Sequence, residues 1–153
     1  KALSQDITVV ILEPGKMARV GTIDGSLAGM QKFVGGYIEA FYPFEEPVCI
    51  VCNEEGKLNG SELNRCLRDD EGQIYDILAG DFLITGLTED DFGSLTPEQM
   101  QKFEKMFHQP EMFVKMGRSL MALPVPDDRV KKPDAPEKTD MAPKKSAPDR
   151  DVL

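Results

Sequence analysis

A chain of 153 residues, 41% of them hydrophobic and including eight Phe and three Tyr, has the length for one domain and the apolar content for one core. Its net charge of −9 at pH 7 repels phosphate backbones and anionic lipid, which argues against nucleic-acid binding and against a membrane surface. No run approaches the roughly 18 consecutive apolar residues of a membrane span, and KALSQDITVV has no signal-peptide pattern, so a cytoplasmic setting is expected.

The elements follow in chain order. DITVVILEPGK gives a β-branched run, Ile7 to Leu12, closed by Pro14-Gly15, and MARVGTIDG gives a second run ending at Asp24-Gly25; together they read as paired strands. A short helix follows, with Leu27, Met30, Phe33 and Val34 on one face, Asp24 or Ser26 as cap, and Gly35-Gly36 as the stop. Tyr37 to Phe41 returns to strand, Pro43 to Pro47 turns, and Val48 to Cys52 is continuously apolar, as in a strand covered on both faces.

After a turn at Glu54-Glu55-Gly56, SELNRCLRDDEG reads as a short helix with Leu63, Cys66 and Leu67 inward, ended at Asp70-Glu71-Gly72. QIYDILAGDFLITGL reads as two strands meeting at Gly80 or as one strand bulged there. LTPEQMQKFEKMFHQP is the clearest helix: Thr96 as N-cap, Pro97 at the first helical position, Gln99 completing a capping box, and Met100, Phe103, Met106 and Phe107 as the buried stripe. EMFVKMGRSLMAL reads as a further helical piece. From Pro124 onward, six prolines in thirty residues, balanced charge and no aromatic residue predict a disordered tail or linker over 124–153 and a globular domain over 1–123.

The tail holds seven basic and seven acidic residues, so the first 123 residues, with the remaining eleven and twenty, carry the whole charge imbalance. Mixed strands and helices without regular βαβ alternation predict an α+β fold: a single small domain, its mixed, mostly antiparallel sheet of about five or six strands packed by two or three helices. The start on Lys1 rather than Met reads as a trimmed chain or a piece of a longer protein.

Cys49-x-x-Cys52 has the spacing of redox and zinc motifs, but it lies inside a strand, where residues three apart point to opposite faces and their sulfurs diverge. Cys66 and His108 are the only further soft ligands and neither is at a paired spacing, so no metal site is expected and the thiols read as small core residues. His108, the only histidine, falls at a helix end, where a capping or surface role fits. No GxSxG sequence surrounds a serine, no phosphate-binding glycine loop is present, and no catalytic residue or cofactor is assigned. The carboxylate clusters Glu45-Glu46, Glu54-Glu55, Asp69-Asp70-Glu71 and Glu89-Asp90-Asp91 all fall in turns, without calcium-loop spacing.

What remains is a polar region between apolar strands, in which Asn53, Lys57, Asn64, Arg65 and Asp76, with Tyr37 ahead of them, are candidate ligand-binding residues. Arg65 and Lys57 stand out in an acidic domain as groups able to hold a phosphate or carboxylate; the structural alternative pairs Arg65 with a neighbouring acid and Asn64 with loop backbone.

Taken in series, ITVVILEPGK, GGYIEAFYP, VCNEEGKLNG, LNRCLRDDEGQIYDILAGDFLITGL and DDFGSLTPEQM resemble a small domain family of unknown function that occurs in bacteriophages, integrative mobile elements and gut Firmicutes, over about Ile7 to Phe113. The shared pattern rests on Glu13-Pro14-Gly15, Gly36-Tyr37-Ile38-Glu39, Asn53 to Lys57, Asn64-Arg65, Asp76 and Gly80. That family has no established catalytic residues, so the resemblance carries none over. It implies a setting among genes for conjugation, replication and resistance to host defence.

Three functional readings follow. The first is a non-catalytic accessory domain that binds a small ligand or a host protein, as a monomer or homodimer. The second is an acidic mimic of DNA acting on a DNA-binding enzyme, and the third a hydrolase using turn carboxylates.

Overall fold

In the computed structural model, residues 6–132 are described. The elements are β1 (Asp6–Leu12), β2 (Arg19–Asp24), α1 (Leu27–Val34), β3 (Ile38–Phe41), β4 (Val48–Asn53), β5 (Leu63–Arg68), β6 (Ile74–Ala79), β7 (Phe82–Leu87), β8 (Phe92–Gly93), α2 (Pro97–Met106), β9 (Glu111–Met116) and β10 (Ser119–Pro124), with a 3-10 turn at Asp127–Arg129. A six-stranded sheet in the order β2-β1-β7-β4-β3, with β8 on the end of β7, forms the centre, and β5-β6 and β9-β10 are separate two-stranded hairpins. The named strands all pair antiparallel, and the fold is α+β.

Side-chain alternation along the central strands produces two cores. Val10, Leu12, Ile50, Cys52, Phe82 and Ile84 face Phe103 of α2, Phe107 at its C-cap, and Leu67 and Leu78 of the β5-β6 hairpin. Val9, Ile11, Cys49, Val51 and Leu83 face Met30 and Val34 of α1. Val48 to Cys52 are accordingly all buried, as expected of a strand covered on both faces. Cys49 and Cys52 lie in different cores, on opposite faces of the sheet.

The helices begin where their caps direct. The Ser26 hydroxyl accepts from the Gly29 amide at 3.1 Å, while the Asp24 carboxylate accepts from the Ser26 amide at 2.9 Å. At α2, the Thr96 hydroxyl accepts from the Gln99 amide at 3.1 Å and the Gln99 side chain accepts from the Thr96 amide at 2.9 Å, completing the predicted capping box. Of the expected stripe, Phe103 and Phe107 are buried and Met100 packs against the core, but Met106 turns outward.

Two segments expected as helices are strands. In SELNRCLRDDEG, β5 pairs with β6, and Asp69-Asp70-Glu71-Gly72 is the hairpin turn rather than a helix stop. The Asp69 carboxylate accepts from the Glu71 and Gln73 amides, both at 2.9 Å, and so fixes that turn. EMFVKMGRSLMAL is the β9-β10 hairpin, with Gly117-Arg118 at its tip. Of the two alternatives at Gly80, the structure has two strands: Gly80 takes φ +78°, where the chain swings from the hairpin into the central sheet.

Of the segment expected as a tail, residues 133–153 lie outside the described residues. Residues 124–132 return to the domain: the Val125 amide donates to the Pro110 carbonyl at 2.8 Å and the Lys131 amide to the Gly15 carbonyl at 2.8 Å.

Candidate functional site: a charged cleft beside the β5-β6 hairpin

Strand register assembles a cleft from three elements. Glu39 pairs with Cys52 across β3 and β4, so both share one sheet face, and Phe41, two residues on, shares it with them. Asp76 and Leu78 share one face of β6 in the same way. The turn after β4 closes the remaining side with Glu54, Gly56, Lys57 and Leu58. The result is a cleft of about 460 Å³ with an apolar floor of Phe41, Cys52 and Leu78 and a charged rim.

Lys57 Nζ donates to Asp76 Oδ1 at 2.6 Å at this rim, and the same oxygen accepts from the Ile77 amide at 2.8 Å. Among the described residues, Lys57 is the one basic residue lining the cleft against Glu39, Glu54 and Asp76, and their charges give it a net negative field. The Cys52 thiol registers that field: burial first, then the charges of Glu39 and Asp76, push it up to about 12, with Lys57 acting in the opposite sense. Leu58, 86% exposed, stands on the rim as apolar surface open to a partner.

Asn53 shapes the cleft. Its amide nitrogen donates to the Val34 carbonyl at the end of α1 at 3.1 Å, and its oxygen accepts from the Glu55 amide at 2.7 Å. A Cβ on Gly36 would lie 2.9 Å from that nitrogen, so glycine at this position lets the end of α1 approach the turn. Tyr37, 71% exposed, lies outside the lining, but its carbonyl accepts from the Glu54 amide at 3.0 Å and holds the start of the turn.

Asn64 and Arg65 are placed elsewhere, in the interior. Asn64 donates to the Leu12 carbonyl at 2.9 Å and the Gly80 carbonyl at 2.8 Å. Arg65, 1% exposed, donates from Nε to the Phe107 carbonyl at 3.0 Å, from Nη1 to Asn64 Oδ1 at 2.8 Å and from Nη2 to the Lys16 carbonyl at 2.7 Å. Burial pulls its pKa down to about 10, against the attraction of Glu111. The acid that faces this region is itself engaged: Glu111 pairs with Arg68 at 3.1 Å and accepts from the Cys66 amide at 2.9 Å.

Of the six candidate residues, then, the structure gathers Asn53, Lys57 and Asp76 at one cleft, sets Tyr37 behind its turn, and takes Asn64 and Arg65 into the core. Glu39, Phe41, Glu54, Leu58 and Leu78 also line the cleft and were not singled out from sequence. The alternation of Glu39 and Phe41 along a strand is the signal for the first two; the others require the register.

A larger groove of about 1020 Å³ runs on the far side of the hairpin, between β5 and the end of α2. It holds turn carboxylates, Glu45, Glu46, Asp69 and Asp70, beside Lys102, Lys105 and Arg68. Glu46 is ion-paired with Lys102, and that contact lowers its pKa. A general acid requires the opposite shift.

Among the described residues no cluster of His, Cys, Asp or Glu is arranged to hold a metal ion, and no helix is long and apolar enough to cross a membrane. What the fold defines is a small α+β domain with a charged cleft against an inserted hairpin. Residues 7–108 match the family described as Domain of unknown function (DUF3846), and the chain belongs to that family. Neither the curated proteins nor the solved structures contain a match to it.

Proposed function

We propose that this chain is a non-catalytic accessory domain of a bacteriophage or integrative mobile element that works by binding, in the cleft formed by β3, β4, the 54–60 turn and β6. The observation that carries this reading is the rim: the Lys57–Asp76 pair set over an apolar floor, with Glu39 and Glu54 beside it. An exposed ion pair of this kind contributes only about 0–1 kcal/mol to stability, so its partners are open to exchange for a ligand.

The charge selects the ligand. Three carboxylates against one lysine repel a polyphosphate, which argues against a signalling nucleotide and favours an apolar body bearing a cation, whether a small molecule or a side chain of a host protein. In the genetic setting that the resemblance implies, counter-defence is the role proposed for such binding. The DNA-mimic reading finds less support, since Glu46 and Glu111 are neutralised by Lys102 and Arg68.

Native mass spectrometry of the full chain recovered from a bacterial host lysate tests the proposal. A small-molecule or protein adduct that disappears in Asp76→Asn supports it; an adduct indifferent to Asp76→Asn and Glu39→Gln refutes the cleft as the binding site.

A further inference from the structure

The β9-β10 hairpin lies beyond the family match, which ends at residue 108. One side of it is anchored: Glu111 on β9 accepts from the Cys66 amide at 2.9 Å and pairs with Arg68. The other side has no partner among the described residues, because β10 pairs with β9 alone. Its outer edge is therefore a row of main-chain donors and acceptors open to another strand.

Natural edge strands are usually protected by a charge or a proline. Ser119 to Leu123 contain neither, and Pro124 comes only at the end. The register places Met112, Val114 and Met116 on one hairpin face with Leu123, Met121 and Ser119. That face is apolar except for the serine, and Met116, Met121 and Leu123 are 55%, 46% and 38% exposed. A lone two-stranded ribbon is marginal in water, so an open edge beside an apolar face calls for further strands.

We propose that the β10 edge pairs antiparallel with β10 of a second copy, joining two hairpins into one four-stranded sheet. The flanking charges choose this occupant and its direction. Arg118 precedes β10, and Asp128 follows it, next to an Asp127 whose carboxylate accepts from Gln109 Nε2 at 3.1 Å. Antiparallel pairing about a two-fold axis near Met121 sets Arg118 of each copy opposite Pro124 of the other, on the side where Asp128 follows, whereas a parallel arrangement would set like charges together. Between the flanks, Ser119 opposes Leu123, Leu120 opposes Ala122 and Met121 opposes itself, with no charge to bury.

Six residues of edge and one small apolar face fall short of the roughly 800 Å² per partner of a standard interface, so the dimer dissociates on dilution through the micromolar range. The inference concerns a different surface from the cleft and stands or falls separately.

Sedimentation equilibrium of the full chain across a dilution series, from roughly 500 to 5 µM to bracket such a weak dimer, is the test. The mass is expected to approach twice 17.0 kDa at the concentrated end and to remain at 17.0 kDa throughout for Met121→Lys, with an unchanged circular dichroism spectrum. Arg118→Glu weakens the dimer, and adding Asp128→Lys restores it. Met121→Cys, at the proposed axis, forms a covalent dimer under mild oxidation. A wild-type chain monomeric at every concentration, a dimer that survives Met121→Lys, or failure of Met121→Cys to cross-link overturns the proposal.

Discussion

Arg65 Nε donates to the main-chain oxygen of Phe107 at 3.0 Å, joining a buried guanidinium in β5 to the C-terminal end of α2. The cation sits where the helix dipole is negative, and with the Lys16 carbonyl it fastens the β5-β6 hairpin to both the β1-β2 loop and the helix. Replacing it with Met removes the bonds from Arg65 to the Phe107 and Lys16 carbonyls and to the Asn64 side chain. Relief of the buried charge offsets only part of that loss. Arg65→Met is expected to cost about 3 kcal/mol, read as the shift in urea midpoint at constant slope. Lys57→Met, at the exposed rim, is expected to cost less than about 1 kcal/mol. Equal costs at the two positions would contradict the division of the candidate residues into anchor and cleft.

Stability is expected to fall above pH 9. Burial pushes the Cys49 and Cys66 thiols up to about 11 and Cys52 to about 12, from 9.0 in the open chain. Above pH 9 the unfolded chain therefore loses protons that the native state retains, and stability declines by up to about 4 kcal/mol per pH unit for the three groups. The decline is clearest between pH 9 and 10. Urea midpoints at pH 8 and 9.7 check it; a flat profile would contradict the burial of the thiols.

Cys49 and Cys52 are expected to stay reduced and unlinked. Their side chains occupy cores on opposite faces of β4, and closing a disulfide requires Cβ atoms about 4 Å apart. Mass analysis of the native chain after mild oxidation should show no loss of hydrogen at this pair, and a thiol reagent should label all three cysteines only after denaturation.

Gly36→Ala is expected to destabilise the domain by about 1–2 kcal/mol, because the new methyl displaces Asn53 from its bonds to Val34 and Glu55. Asn53→Ala should cost a similar amount, and the double variant less than the sum, since both act on the same contact. Additive costs in a double-mutant cycle would separate the two residues.

Much of the fold was legible because local signals and tertiary structure agree. At α2 the Thr96 and Gln99 box and the Phe103 and Phe107 spacing indicate the same helix, and Val48 to Cys52 had no polar face to leave in water. β5 was misread because Leu63, Cys66 and Leu67 fall at helical spacing, while Asn64 and Arg65 interrupt a strand-like alternation. Those two residues are buried by virtue of distant carbonyls on Leu12, Lys16, Gly80 and Phe107, which no window of sequence contains. For the same reason Arg65 and Lys57 looked alike as candidates. β9-β10 did carry a signal: Gly117-Arg118 between two apolar runs is a two-residue hairpin turn. The cleft was half visible, because Lys57 and Asp76 are distinctive residues, while Glu39 joins them only through its register with Cys52.

The central claim, that the Lys57–Asp76 cleft binds a cationic group over an apolar floor, is tested most directly by amide chemical shifts of the isotope-labelled full chain titrated with benzylammonium and, separately, with benzoate. Benzylammonium is predicted to shift the amides of residues 53–58 and 76–79, with the effect lost in Asp76→Asn, and benzoate to leave them in place. Preference for benzoate, or no response to either probe at these residues, would contradict the account.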